Sequence, residues 1–115
     1  MKAYRDWQKQ HPRKAASLHR CAAAVRQLVP EAEVILYGSV ARGDDHAESD
    51  IDLLVLVPQA VTPNLRREIR GRIYDVALEN DQIITTIVRQ RAQWHSEPLN
   101  CAPLYDAIES EGVQL

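Results

Sequence analysis

Apolar residues recur along the chain at two spacings, one typical of helices and the other of strands. Spacings of three and four residues predict one amphipathic helix from Pro12 to Val29 and another from Pro63 to about Glu79, each opened by a proline that suits the first helical position. Runs of β-branched and apolar residues predict three strands, at residues 33–37, 50–57 and 82–88. Shorter helices are expected in VARGD after the first strand, near residues 91–95, and after the last proline, with Leu104 and Ile108 facing inward.

Helices and strands alternate in this pattern, which predicts a small α/β domain. The 115 residues are long enough for a single modest core. We expect residues 1–12 to be an N-terminal lead-in, either irregular or a frayed helix, and residues 13–115 to form one domain.

The composition is that of an ordinary soluble protein, 45% hydrophobic and 26% charged. No apolar stretch comes near the length of about 18 residues that a membrane span requires. The two cysteines, Cys21 and Cys101, fit a reducing compartment, so we expect a cytoplasmic protein. Residues 1–30 carry seven lysines and arginines against one acid. Such a basic helix is either a solvated surface or a contact for nucleic acid or an acidic partner.

The candidate chemistry is concentrated in residues 36–57, LYGSVARGDDHAESDIDLLVLV. Gly38-Ser39 ends a strand and begins a helix, where glycine admits a phosphate close to the backbone and N–H groups can bind it. Asp50 and Asp52 are alternate residues of the next strand and therefore share a face. At roughly 7 Å and an effective dielectric near 20 their carboxylates repel by about 2 kcal/mol, which a divalent cation would offset. The stretch predicts a nucleoside triphosphate on the Gly-Ser turn and Mg²⁺ on the aspartates.

The stretch GSVARGDDHAESDIDLLVLV resembles the signature of the DNA polymerase beta-type nucleotidyltransferases, and the length and ending resemble the minimal nucleotidyltransferase (MNT) subgroup. The resemblance implies a small mixed sheet with helices, Mg²⁺, ATP or another NTP, and pairing with a helical HEPN-type toxin. Some members transfer AMP to a tyrosine of that toxin. Carried over by position, Gly38 and Ser39 would contact the triphosphate, and Asp50 and Asp52 would be catalytic metal ligands. Arg42 would be either a phosphate contact or a surface residue.

One position departs from the family pattern. The family supplies a third carboxylate from the strand beside the aspartate strand, and here Thr85 occupies the aligned place. Threonine brings no charge and is a poor Mg²⁺ ligand. Asp81 or Glu79 would have to reach the site to replace the acid, although each is also a typical helix-end surface residue. His46, in the loop before Asp50, is either a phosphate contact or a loop residue.

Two functional hypotheses follow from these residues. The first is transfer of a nucleotidyl group to a partner protein such as a HEPN-type toxin. The second is a degenerate antitoxin that neutralises its partner by binding alone, which Thr85 favours. Transfer to a small molecule or a nucleic acid is disfavoured, since such enzymes generally need a further domain to hold the acceptor. Surface-to-volume scaling also suggests an oligomer.

Overall fold

The computed structural model describes residues 1–43 and 50–115, apart from the side chain of Arg13. Within these ranges the chain forms, in order, β1 (Lys2–Ala3), α1 (Tyr4–Gln10), α2 (Pro12–Leu28), β2 (Glu33–Tyr37), α3 (Ser39–Arg42), β3 (Ile51–Val57), α4 (Pro63–Glu79), β4 (Ile84–Gln90), α5 (Arg91–Trp94), a 3-10 turn (Leu99–Cys101), α6 (Pro103–Glu111) and β5 (Val113–Gln114).

The strands form one mixed sheet in the order β1-β5-β2-β3-β4. The antiparallel pair β2–β3 and the parallel pair β3–β4 make up its centre and one side. The two short terminal strands extend the other side, with β5 antiparallel to β2 and β1 parallel to β5. The prediction of a small mixed sheet with helices is thereby confirmed.

Strand β3 is buried on both of its faces because apolar side chains point alternately to two cores. One side of the sheet, including Leu53, Val55 and Val57, packs against α2 and α4 in the larger core. The opposite side, including Leu54 and Leu56, packs with Trp94 of α5 and Ile108 of α6 in a smaller core. The sheet therefore lies between two helical layers.

The two long helices begin as the sequence predicts. Pro12 opens α2 and Pro63 opens α4, where the missing proline N–H costs no helical hydrogen bond. The Thr62 hydroxyl caps α4 by accepting a hydrogen bond from the Leu65 N–H at 3.1 Å. No helix in the described ranges is both long and apolar enough to cross a membrane.

The chain termini form regular structure. Of the two alternatives for residues 1–12, the structure shows the helical one, α1, and adds β1, which pairs with β5, while the buried Trp7 of α1 packs into the larger core. The prediction for Leu104 is wrong, since that side chain is 41% exposed. Tyr105 and Ile108 take the inward positions of α6 instead. The third predicted strand begins two residues late, at Ile84, because Asn80 to Gln82 complete the turn after α4.

Candidate functional site

A row of three side chains crosses the sheet where β2 ends and β3 begins. Tyr37 is paired with Asp52 across the antiparallel strands, and Asp52 is paired with Thr85 across the parallel strands. Paired residues of adjacent strands project from the same side of a sheet. The next row, which contains Ile35, Leu54 and Ile87, belongs to the smaller core. Asp52 therefore lies one row beyond the edge of the smaller core, on the same side of the sheet.

Gly38 lies directly against the carboxylate of Asp52. Gly38 follows the last residue of β2, and its φ of +81° is an angle that glycine adopts without strain. A Cβ atom built on Gly38 would stand 2.5 Å from Asp52 Oδ2, closer than side-chain atoms approach. Glycine is thus required here both for the backbone angle and for the space that the carboxylate occupies.

The surroundings of Asp52 disfavour the charged form of its carboxyl group. Partial burial, together with the negative charge of Asp50, raises the pKa of Asp52 above its ordinary value. Burial, with a contribution from Asp52, likewise raises the pKa of Tyr37. Asp50 itself is exposed and immediately precedes β3. The Asp50 carboxylate is therefore close enough to oppose the ionisation of Asp52 at this end of the sheet.

Ser39 follows Gly38 as the first residue of the four-residue helix α3, and its side chain is half-buried. The helix is closed by the Arg42 N–H, which donates to the Gly38 carbonyl at 3.2 Å. Ser39 is thus the immediate neighbour in sequence of the glycine that contacts Asp52. The structure brings four of the predicted site residues, Gly38, Ser39, Asp50 and Asp52, to one end of β2 and β3.

Arg42 is tied to a different element. Its guanidinium Nη1 lies 3.3 Å from Glu111 Oε2 at the end of α6, and both side chains are about two-fifths exposed. This ion pair links the helix that follows Gly38 to the last helix of the chain. An exposed pair of this kind stabilises the fold only weakly, by about 0.2–1 kcal/mol.

Thr85 occupies the place where the third carboxylate was expected. It is the parallel partner of Asp52 and its side chain is exposed. Glu79 does not replace the missing acid, because it pairs with Arg20 of α2 on the other side of the sheet. Asp81 lies in the turn after α4, with a φ of +52°. His46 and the rest of residues 44–49 lie outside the described residues.

The structure adds residues that sequence reasoning missed. Tyr37 reaches the row only through cross-strand register, which local periodicity does not reveal. From the N-terminal segment, Lys2 Nζ donates to the Ala41 carbonyl of α3 at 3.5 Å. His11, stacked on Trp7 at 4.6 Å between ring centroids, lies beside Gly43. In the sequence, the aromatic and basic residues of the lead-in are the feature that could have indicated these contacts.

The donor set fits a divalent cation. Carboxylate oxygens are the donors that Mg²⁺ prefers, and the negative charge of Asp50 beside Asp52 is one that a cation would offset. A bound Mg²⁺ would neutralise charge on phosphate oxygens placed beside Gly38. In the described part of the chain no cluster of three or more His, Cys, Asp or Glu side chains is arranged to hold a metal. The site thus offers two protein ligands and leaves other positions to water and phosphate.

Known proteins resemble this chain in sequence as well as in fold. The family model described as nucleotidyltransferase domain matches residues 18–112. A relative from Methanocaldococcus jannaschii (strain ATCC 43067 / DSM 2661 / JAL-1 / JCM 10045 / NBRC 100440) is named "Putative protein adenylyltransferase MJ0141". It is 33% identical over 82 residues, which are 71% of this chain and 76% of that protein.

Two solved structures have the same fold. One is a toxin-antitoxin with AMP-PNP, with a TM-score of 0.58 and 21% identity over 84% of this chain and 69% of that chain. The other, with a TM-score of 0.57, 20% identity and the same coverage, is a toxin-antitoxin MntA-HpeT mutant in which two aspartates separated by one residue are replaced by glutamates. These likenesses agree with the resemblance to minimal nucleotidyltransferases. The extent of the family match shows that the chain belongs to the nucleotidyltransferase domain family.

Proposed function

We propose that this protein binds ATP or another NTP with Mg²⁺ and transfers the nucleotidyl group to a partner protein, an AMP group where the nucleotide is ATP. The observation that carries the proposal is the contact between Gly38 and the Asp52 carboxylate. It sets a side-chain-free stretch of backbone beside the metal-binding oxygens, so that phosphates on Gly38-Ser39 would lie within reach of a cation on Asp50 and Asp52.

The residues of the chain would act mainly by positioning. The acceptor hydroxyl oxygen forms a bond to the α-phosphorus, the bond from that phosphorus to the oxygen bridging to the β-phosphate breaks, and pyrophosphate leaves. Asp50 and Asp52 would hold the cation, Gly38-Ser39 would orient the triphosphate, and the hydroxyl proton would pass to a carboxylate or to water. Thr85 bears no carboxylate, so the general base is weaker than a third acid would make it.

The proposed acceptor is a helical HEPN-type toxin or a similar partner protein. Support comes from the relative named as a protein adenylyltransferase and from the toxin-antitoxin pairs that share the fold. This support favours a protein as the acceptor over a small molecule or a nucleic acid. This function would place the protein in the cytoplasm beside its partner.

A second function is favoured by one specific observation, the pairing of Thr85 with Asp52. A site with two carboxylates binds nucleotide and metal but lacks the third acid. In this alternative the protein neutralises its partner by contact alone, as a degenerate antitoxin.

The deciding experiment measures binding and transfer separately. Calorimetric titration of ATP with Mg²⁺ is expected to show binding by the wild type and at least about a tenfold loss in Asp52→Asn. Incubation with a candidate partner, a helical HEPN-type protein, followed by intact-mass measurement, is expected to show a gain of one AMP on that partner. Asp75→Asn, an exposed change on α4, is the control and is expected to match the wild type in both assays.

The outcomes separate the two functions. Binding without mass gain, together with partner neutralisation that Asp52→Asn preserves, would favour the degenerate antitoxin. Absence of ATP binding in the wild type would overturn the proposed nucleotide binding and, with it, the proposed transfer.

A further inference from the structure

Strand β4 is an edge strand, so the backbone groups along its outer side face no neighbouring strand in the described part of the chain. It is the last strand of the sheet order, and no strand in the described ranges pairs with its outer edge. The Ile51 N–H donates to the Ile83 carbonyl at 2.9 Å, which fixes the direction of the Ile83 carbonyl toward β3. Because backbone groups alternate in direction along a strand, those of Ile84, Thr86 and Val88 point outward. Such a row is a template for another extended segment.

A groove of about 440 Å³ runs between this edge and helix α4. Two side chains that line it, Tyr74 of α4 and Ile83 beside β4, are large, apolar and respectively 63% and 68% exposed. Scattered exposed apolar residues are ordinary, but two that flank one groove at a strand edge form a continuous apolar surface. The groove would therefore receive an apolar side chain.

The polar groups of the groove indicate what else the occupant carries. Arg70 lines the groove and donates to the outward carbonyl of Thr86 at 3.2 Å, and among the described lining residues it is the one charged side chain. Gln82 also lines the groove, and its Oε1 is buried without a hydrogen-bond partner among the described residues. The occupant that fits has an acidic group for Arg70 and an N–H donor for Gln82.

The groove borders the β4 residue that lies next to the candidate site, although it opens on the opposite side of the sheet. Thr85 lines the groove and is the register partner of Asp52, so its side chain projects to the side of Asp52, away from α4. A segment paired with β4 would send alternate side chains to the two sides of the sheet. With adjacent strands about 4.8 Å apart, a segment paired with the outer edge of β4 would run about 10 Å from β3. That distance is within reach of a side chain that extends across β4 toward Asp52.

We propose that the groove between α4 and β4 binds an extended acidic segment of the acceptor protein, which pairs with the outer edge of β4 and places an apolar side chain between Tyr74 and Ile83. This inference rests on the proposed function, because it gives the acceptor protein its place beside the nucleotide. A second copy of the chain fits less well. Antiparallel pairing of two β4 strands about a two-fold axis would bring the two Arg70 side chains to the same part of the interface.

The test uses a phage-displayed library of random peptides about twelve residues long, selected on the wild-type protein. We expect the selected sequences to share an apolar residue close to an acidic one. By fluorescence anisotropy, the double variant Tyr74→Ala and Ile83→Ser is expected to weaken the best peptide at least about tenfold. Arg70→Gln is expected to weaken it about fivefold and to lower its salt dependence. Leu104→Ser, which removes an exposed apolar side chain from α6, is the matched control and is expected to bind like the wild type.

Hydrogen exchange tests the strand pairing itself. In the peptide complex the amides of Ile84 and Val88, which point outward, are expected to slow at least about tenfold, whereas that of Thr85 is already bonded to β3 and is expected to change little. Peptides that share no acidic and apolar residues, or that bind the double variant unchanged, would overturn the proposal. Binding without slower exchange at Ile84 and Val88 would refute the pairing with β4.

Two further measurements separate this inference from its alternatives. Asp52→Asn is expected to lose ATP binding and to keep peptide binding, so that failure of the nucleotide site leaves the result for the groove intact. Sedimentation of the wild type alone is expected to give a species that the double variant does not change. Self-association that the double variant abolishes would assign the groove to a second copy and overturn the proposal.

Discussion

At the residue scale, the contact between Gly38 and Asp52 joins backbone conformation to chemistry. Gly38 combines a φ of +81° with a neighbour that leaves no space for a Cβ, whereas Gly71 in the middle of α4 has nothing within 4 Å of its Cβ position. The two glycines therefore have opposite physical roles. One is required by its surroundings, and the other only weakens a helix.

Replacing each glycine by alanine tests this difference. Gly38→Ala is expected to lower the free energy of unfolding by about 1–3 kcal/mol and to displace the Asp52 carboxylate. Gly71→Ala is expected to raise it by about 0.5–1 kcal/mol, because alanine is the better helix former. Urea unfolding of both variants measures the two effects, and equal effects from the two changes would contradict the role of Gly38.

The pKa of Asp52 leads to a prediction on stability. A raised pKa in the folded protein means that folding favours the protonated form, so the folded state loses stability as the pH rises above the ordinary aspartate value. Asp52→Asn is therefore expected to raise the free energy of unfolding at pH 7 by about 1 kcal/mol, a screened value for a partly exposed pair. The gain should vanish as the pH falls through about 4, where the carboxyl becomes protonated in both states. Thermal unfolding between these pH values provides the measurement, and a gain that persists at low pH would contradict the electrostatic cause.

Thr85 permits the converse experiment. Thr85→Asp would place a third carboxylate in register with Asp52 and is expected to destabilise the metal-free protein by about 1 kcal/mol. Mg²⁺ should restore this loss and bind more tightly than to the wild type. Thr85→Asn introduces a side chain with the shape of aspartate but without its charge. It is expected neither to destabilise the metal-free protein nor to strengthen Mg²⁺ binding. Mg²⁺ titrations followed by thermal unfolding would distinguish the variants.

At the scale of elements, the sequence predicts those whose stability is local. The helices α2 and α4 and the strands β2 and β3 were predicted to within one residue, because apolar periodicity and prolines mark them. The two-residue strands β1 and β5 carry no such pattern and exist only because they pair with each other and with β2. The place of Thr85 beside Asp52 was predicted, since parallel neighbours follow from the order of strands. The place of Tyr37 was not, since it depends on cross-strand register.

Helix α1 illustrates the limit of local prediction, because among its described residues Trp7 is the one that is buried and only Tyr4 packs beside it on the larger core. Trp7 is almost fully buried, and its Nε1 has no hydrogen-bond partner among the described residues. Trp7→Ala is expected to lower the free energy of unfolding by about 3–5 kcal/mol, and Trp7→Phe by much less, because phenylalanine keeps a buried ring and removes only an N–H that has no partner. Denaturant unfolding measures both. A loss in Trp7→Phe as large as that in Trp7→Ala would contradict the role of the buried ring.

At the scale of the whole molecule, the two helical layers differ in charge. Helix α4 carries four arginines and three acids, and residues 1–30 carry seven lysines and arginines and one acid. Residues 91–111, which cover the other side of the sheet, carry four acids and one arginine. The helices on the side of the larger core therefore have a net positive charge, and those on the side from which Asp52 projects have a net negative charge.

A nucleotide that binds only the folded state should stabilise the whole domain. At a concentration one hundred times its dissociation constant, ATP with Mg²⁺ is expected to add about 2.7 kcal/mol to the free energy of unfolding. Asp52→Asn should abolish this increment while Asp75→Asn preserves it. Thermal unfolding with and without nucleotide checks the result, and an equal increment in all three proteins would assign nucleotide binding to another site.

The place of Asp52, one row beyond the apolar part of the sheet, has an evolutionary consequence. The carboxylate belongs to neither core, and burial and the charge of Asp50 oppose its ionisation, so selection for folding alone would remove it. Regaining it costs stability and restores no chemistry unless its partner carboxylates are also present. Loss of catalysis in such a domain is therefore hard to reverse. It leaves a stable protein in which the edge strand β4 is still exposed.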